Sequence, residues 1–413
     1  MTERDTSWTR AALIAIACGA LIVTVSMGVR QSFAMFMQPI GREFGFGREY
    51  FGFALAVQNL LFGVVQPFVG AIADRYGVRR VLAAGAVVYA AGLALAAFAH
   101  TPGDVMTALG VMIGLGLSGT TFVVVLTGVG RLVRPEQRSM AFGLVTAGGS
   151  FGQFAVVPLA QALISNTGWR GAMIGLTVLV LVSIVAAIGI RPARAAAGAS
   201  DEDASLTLTD VLRRAAAHPH YWLLNFGFFV CGFHIAFIAT HFPAFLVDRG
   251  LSADIGAYAL ALIGLFNIAG SYLFGLWGNR HSKPMLLAAL YGGRALAIVA
   301  FLLAPLSPAS ALAFAAVFGF LWLGTVPLTT GLVAGMFGLR YMSTLYGVVF
   351  LSHQVGSFLG AWLAGRLYDT TGSYQPIWIA SIALGLAAAA ISLATSDRAV
   401  DLKKPLRAVP EPG

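Results

Sequence analysis

Long apolar runs, broken at intervals by short clusters of charge, make up most of this chain. Stretches free of Asp, Glu, Lys and Arg cover residues 11–29, 50–73, 81–103, 105–130, 139–169, 171–190, 215–247, 255–279, 295–339, 341–365 and 370–396. A helix needs roughly 20 apolar residues to cross a bilayer core, so nearly every run predicts one crossing. The run 295–339 is too long for one helix, and Pro305-Leu306-Ser307-Pro308 divides it. Its first part joins the residues before it in a helix over about 284–304, with Arg294 inside. The first run likewise continues past Arg30 to about Gln38. Twelve spans result. No small-residue cleavage site follows a short apolar region before Arg30, so a signal peptide is not expected.

Composition agrees with the pattern. Of 413 residues, 58% are hydrophobic and 10% charged, where a soluble domain carries about one-quarter charged residues. That excludes a soluble enzyme, a DNA-binding protein and a disordered scaffold. The net charge of +9 is a matter of membrane topology rather than of nucleic acid. With a cytoplasmic N-terminus, 19 of the 26 Lys and Arg fall in inner segments, 5 in outer ones, and Arg30 and Arg294 lie inside the membrane. By the positive-inside rule, both termini of this multi-pass protein are expected in the cytoplasm, in a cell inner membrane. Cys18 and Cys231 sit in apolar runs and make neither a disulfide framework nor a metal-ligand cluster. No GxxxxGK[ST] phosphate loop is present, so ATP-driven transport and a cofactor are not expected.

The chain repeats itself. Adding 204 carries Gly28 to Gly232, Phe33 to Phe237, Pro39 to Pro243, Gly52 to Gly256, Gly143 to Gly347, Gly152 to Gly356 and Gly168 to Gly372. An offset of 205 relates Gly70 to Gly275, Arg75 to Arg280 and Gly119-Thr120 to Gly324-Thr325. The expected organisation is an all-α membrane protein of two pseudo-symmetric six-helix bundles, 1–190 and 219–396. A cytoplasmic linker, 191–218, joins them, and a cytoplasmic tail, 397–413, follows. Parallel halves related about the membrane normal form a transporter architecture with its site between them, near the midplane.

Between spans 2 and 3, Gly70-Ala71-Ile72-Ala73-Asp74-Arg75-Tyr76-Gly77-Val78-Arg79-Arg80 resembles the GxxxDRxGxRR signature of the major facilitator superfamily. A decayed copy begins at Gly275 and includes Arg280. Gly77 suits a tight turn, and Asp74 with the basic cluster can make charge-assisted bonds to a neighbouring helix end. An inner latch of Asp74, Arg75, Arg79, Arg80, Arg134, Arg138 and Arg280 is expected. The stretch from Ala141 to Gly152, with Pro158 and Gly168-Trp169-Arg170, is similar to the fifth-helix region of monocarboxylate transporters and oxalate/formate exchangers. The resemblance implies a secondary transporter, monomeric by superfamily default. The chain departs from that pattern in three places. The acidic-glycine motif before span 1 is absent, the basic residue of span 4 is replaced near Gly110, and the Asp and Arg of span 8 stand here as Asn267 and Ser271.

The spans hold Arg30 and Arg294 but no Asp or Glu, since Asp74 sits at a helix end. Ionisable groups within a membrane are costly and mark functional sites by default. A buried cation needs water or an anion, so a transported anion is the natural partner. Arg30 is the leading contact, and the offset of 204 maps it onto His234, which is expected to face it across the cavity. The resemblance puts a lysine of monocarboxylate transporters near Arg30, with Gln31 as the strict equivalent. Gln58, Asn59, Thr120, Asn267, Thr325, His353 and Gln354 are further candidates to line the path. Arg294 suits either substrate contact or a structural bond to another helix.

The expected activity is secondary transport of a small organic anion, most simply a monocarboxylate, by proton symport or anion exchange. The expected partners are that anion, the lipid bilayer and, for symport, protons; nucleic acid is excluded. One rival is an efflux transporter of lipophilic compounds. A rival of another class is a transport-inactive membrane sensor or partner-binding protein.

Overall fold

Local signals set the helix boundaries. The Thr9 hydroxyl accepts a bond from the Ala12 N–H and opens the first span, as an N-cap should. Thr101 with Asp104, and Ser307 with Ser310, form reciprocal capping boxes, each with a proline in the first turn. The computed structural model describes residues 8–134, 137–190, 208–338, 342–397 and 400, without the side chains of Asp74, Arg138, Ser139, Leu208, Met342 and Ser343. Span 1 is Arg10–Phe44, span 2 Arg48–Tyr76, span 3 Val78–Ala97 and span 4 Pro102–Gly130. Span 7 is Pro219–Asp248, span 8 Ala253–Trp277, span 9 Lys283–Leu303, span 10 Pro308–Phe337, span 11 Met342–Thr371 and span 12 Gln375–Ala394.

Spans 5 and 6 share one hydrogen-bonded helix, Arg138–Ala187, that turns at Gly168, where φ is 71°. Glycine adopts this left-handed conformation readily, so 138–167 and 169–187 cross separately. Eleven helices are long and apolar enough to cross a membrane, and the turn at Gly168 makes twelve passages. Gly372, its counterpart at offset 204, has φ 69° between spans 11 and 12. The two bundles are spans 1–6 and spans 7–12. One end of the molecule carries Arg10 and Ala394 and is called here the terminal end. The far end carries Arg48, Asp248 and Asp369. Within the expected linker, Leu208–Ala216 forms a short helix that buries Val211 and Ala215. Residues 191–207 and most of the tail lie outside the described residues.

Matched glycines do matched work. Span 1 packs on span 5 and span 7 on span 11. A Cβ on Gly152 would fall 2.0 Å from the Thr24 carbonyl oxygen, and one on Gly356 would fall 2.0 Å from that of Phe229. Small residues allow such backbone approach where no hydrophobic drive separates helix from lipid. Spans 4 and 10 are both interrupted, at Thr121, which is extended, and at residues 321–324, between the helices Pro308–Phe320 and Thr325–Phe337. These breaks adjoin the paired Gly119-Thr120 and Gly324-Thr325. The two bundles meet along span 2 on span 11 and span 5 on span 8.

Candidate functional site

At mid-depth, a chain of polar groups crosses from one bundle to the other. Arg30, half-buried on span 1, donates from Nη2 to Asn59 Oδ1 on span 2 at 2.5 Å. Its guanidinium carbon lies 5.8 Å from the centre of the Phe62 ring. The Asn59 carbonyl accepts from Gln354 Nε2 of span 11 at 2.7 Å, across the seam. Because Gln354 uses its amino group there, its Oε1 can only accept. The His353 Nδ1, 3.0 Å from that oxygen, therefore carries the hydrogen. The imidazole stacks on Phe350 and lies beside Phe228 of span 7. The structure thus brings together Arg30, Asn59, His353 and Gln354.

Other candidates turn elsewhere. Gln31 donates to Gln153 of span 5 at 3.0 Å, and Gln153 donates across the seam to the Leu260 carbonyl at 2.9 Å. Gln58 bonds the Leu109 carbonyl inside the first bundle, and the Thr120 hydroxyl bonds Gly116 of its own helix. Asn267 joins three elements. Its Nδ2 donates to Ser150 of span 5 at 2.9 Å, and its Oδ1 accepts from Ser271 and from the Leu323 N–H in the break of span 10.

One expectation fails. His234 does not face Arg30; it is fully buried with Nε2 2.8 Å from the Ser381 carbonyl of span 12. The reason is helical rotation. Gly232 abuts His353 of span 11, and two residues later the side chain lies roughly 200° further round, inside its own bundle. Arg294 is also fully buried. It donates from Nε to the Leu321 carbonyl at 2.9 Å and from Nη2 to the Trp322 carbonyl. It therefore satisfies carbonyls freed by the break in span 10. Its Nη2 also lies 3.6 Å from the Cys231 sulfur, which is 3.1 Å from the Thr325 hydroxyl. Of the two roles open to Arg294, the contacts described are those of the structural one.

The sequence reading missed a cluster at the far end. Arg48, the first residue of span 2, forms a two-pronged ion pair with Asp248 at the end of span 7, both N···O distances being 2.5 Å. Its Nη1 also donates to the Tyr374 hydroxyl at 2.8 Å, and its guanidinium lies 3.8 Å from the centre of the Tyr368 ring. Asp369, at the end of span 11, accepts the backbone N–H groups of Arg48 and Glu49 at 3.0 and 2.7 Å. It acts as a cap supplied by the opposite bundle. Glu49 accepts from Trp362 and Arg366. Burial pushes the Tyr374 hydroxyl well above the usual phenol range, so it stays protonated and donates to His241 Nδ1, 3.0 Å away. The other His241 nitrogen then donates to the Ala361 carbonyl. Opposite charges at three helix ends on one expected side were the available signal.

At the terminal end, Gly77 makes the expected turn, with φ 94°. Arg75, Arg79, Arg80, Arg134 and Arg280 are exposed there. The side chains of Asp74 and Arg138 lie outside the described ones, so the expected latch cannot be traced through them.

Comparison with known proteins follows the same line. Monocarboxylate transporter 13 of Rattus norvegicus is 27% identical over 347 residues, covering 82% of this chain and 77% of its own. The oxalate:formate antiporter of Oxalobacter formigenes is 21% identical over 398 residues, covering 95% and 93%. The fold matches the crystal structure of a bacterial homolog of the human lysosomal transporter Spinster with a TM-score of 0.74, at 16% identity, over 95% of this chain and 99% of that one. The profile of the Major Facilitator Superfamily spans residues 19–361, so this chain of twelve helices in two bundles belongs to that superfamily and is a transporter, not an enzyme.

Proposed function

We propose that the protein carries a small organic anion, most simply a monocarboxylate, across a bacterial inner membrane by alternating access. Both termini would then be cytoplasmic. The observation that carries this reading is Arg30. Its guanidinium is half-buried at mid-depth beside the seam between the bundles, and its bonded partner is a neutral amide. No Asp or Glu lies at that depth in any span. A guanidinium fork suits both oxygens of a carboxylate, and a cation in a low-dielectric site gains most from an anion that arrives there. The names of the relatives, which carry monocarboxylates or exchange oxalate and formate, point to the same cargo class. The bonds between bundles described above run from mid-depth to the far end. That arrangement suits a state open toward the termini, in which Asn59 and Gln354 hold the floor of the site.

The test is uptake of labelled L-lactate, pyruvate, formate and oxalate into proteoliposomes. Losing one member of a desolvated charge pair costs about 2–5 kcal/mol, so Arg30→Ala should weaken apparent affinity at least ~30-fold. Arg30→Lys should keep part of it, having the charge but not the fork. Undiminished uptake by Arg30→Ala, with the variant folded, overturns the assignment.

A further inference from the structure

Resting on the anion-carrier reading, we propose that His353 is the proton-binding group of this carrier, so that one proton crosses with each anion. The argument starts from what the described spans can offer. Arginine keeps its charge at any relevant pH, and no span holds an acid at depth. That leaves histidine, the side chain whose charge changes near neutrality. Three histidines lie within spans, and geometry separates them. His234 is 0% exposed and tied to the Ser381 carbonyl on the side of its helix away from span 11. His241 is 0% exposed with both nitrogens bonded, to Tyr374 and Ala361, as part of the far-end cluster. His353 is 8% exposed. Its Nδ1 hydrogen is fixed by Gln354, with the Ser357 hydroxyl 3.4 Å from the same nitrogen. Its Nε2 is consequently the basic nitrogen, free to take up a proton.

The surroundings make proton and anion help each other. Facing His353 are Cys231 of span 7, with Arg294 and Tyr291 of span 9 behind that thiol. Tyr346 of span 11 belongs to the same group, and span 10 adds the neutral Thr325. From span 2 come only the Asn59 amide and the Phe62 ring, and behind Asn59 stands Arg30. The fixed charges are both positive, so the empty carrier disfavours a second cation at His353. A carboxylate on Arg30 reverses that balance. By linkage, a proton on His353 strengthens anion binding by the same factor. Anion alone changes the charge of the site by one, whereas anion with proton leaves it unchanged.

The experiment uses the full-length protein in proteoliposomes and the same four anions. In the wild type, a gradient of one pH unit, acid on the side of the anion, should drive accumulation about tenfold beyond equilibrium, as one proton per anion implies. Anion exchange at equal pH on both sides should need no gradient. His353→Gln should bring the ratio of gradient-driven to exchange flux to one, whatever it does to the absolute rates. If none of the four anions moves, the anion-carrier reading fails and this proposal with it. If an anion moves but no gradient drives it, or if His353→Gln keeps the wild-type ratio, the proton assignment is wrong while the reading stands. Should His353→Gln carry no flux, Gln354→Glu decides. A carboxylate against Nδ1 favours the charged imidazole, so the pH profile of gradient-driven uptake should move at least one unit upward. An unmoved profile overturns the proposal.

Discussion

Asp248→Asn removes one negative charge from the far-end cluster and nearly preserves its shape. The Arg48 and Asp248 side chains are 14% and 23% exposed, so their pair is neither a solvated surface bridge nor a fully buried one. Exposed pairs are worth about 0.2–1 kcal/mol, and removing one member of a buried pair costs about 3–5 kcal/mol. Two charge-assisted bonds at 2.5 Å, stacked on Tyr368, place this pair between the limits, at roughly 1.5–3 kcal/mol. At about 1.4 kcal/mol per factor of ten, the balance should shift about 10- to 150-fold away from the state closed at the far end. Asp248→Asn should fall in the lower part of that range, since its amide oxygen still accepts one bond, and Asp248→Ala in the upper part. Spin labels on Asn166 and Gln375, exposed far-end positions on opposite bundles, would report the change by double electron–electron resonance. The wild type should show mainly the short distance, and the variants a growing long-distance population. Exchanging the charges, Arg48→Asp with Asp248→Arg, should restore part of the short one. If Asp248→Ala leaves the distances unchanged, the pair is incidental and other contacts close the far end.

Two further outcomes follow from packing. Arg294→Ala strands the carbonyls of Leu321 and Trp322 in the break of span 10 and should cost about 3–5 kcal/mol, read as a clear loss of thermal stability in detergent. Arg294→Met, which fills the space without a charge, should lose less; equal losses would argue against a role in satisfying those carbonyls. Gly152→Ala and Gly356→Ala each push a methyl against a carbonyl in a tight helix pair and should each destabilise by about 1–3 kcal/mol or more. In the open turn of Gly347, where a Cβ meets nothing within 4 Å, alanine should be harmless by the same thermal assay.

Much of the fold was legible because crossing a bilayer demands about 20 apolar residues and leaves little room for other patterns. The turn at Gly168 was legible too, as Gly168-Trp169-Arg170 beside the matched Gly372. Helix rotation was less accessible. His234 and Arg30 share a place in the repeat, yet the first bonds Ser381 in its own bundle and the second bonds Asn59 at the seam. A two-residue change turns a helix position by roughly 200°, which spacing alone does not resolve. The far-end cluster was hidden for another reason. Arg48 meets Asp248 and Asp369 at sequence separations of 200 and 321, so no local motif links them. They could have been grouped only as opposite charges on helix ends expected at the same membrane face.

The seam between the bundles is graded in polarity, and the grading bears on the site. At mid-depth it is held by neutral groups, namely Gln354 on the Asn59 carbonyl, Gln153 on the Leu260 carbonyl and Asn267 on Ser150. Such bonds are worth about 0.5–1.5 kcal/mol each, weak enough to exchange partners when the bundles rock. The charged pairs stand at the far end, where water can solvate them once they part. A carboxylate at position 267, where the resemblance places an Asp, would put a negative charge into the neutral part of this seam. Asn267 accepts from Leu323 and Ser271 without supplying that charge. The neutral seam leaves the charge of Arg30 for the cargo, and a carrier whose seam had its own carboxylate would have to release that contact before an anion could bind.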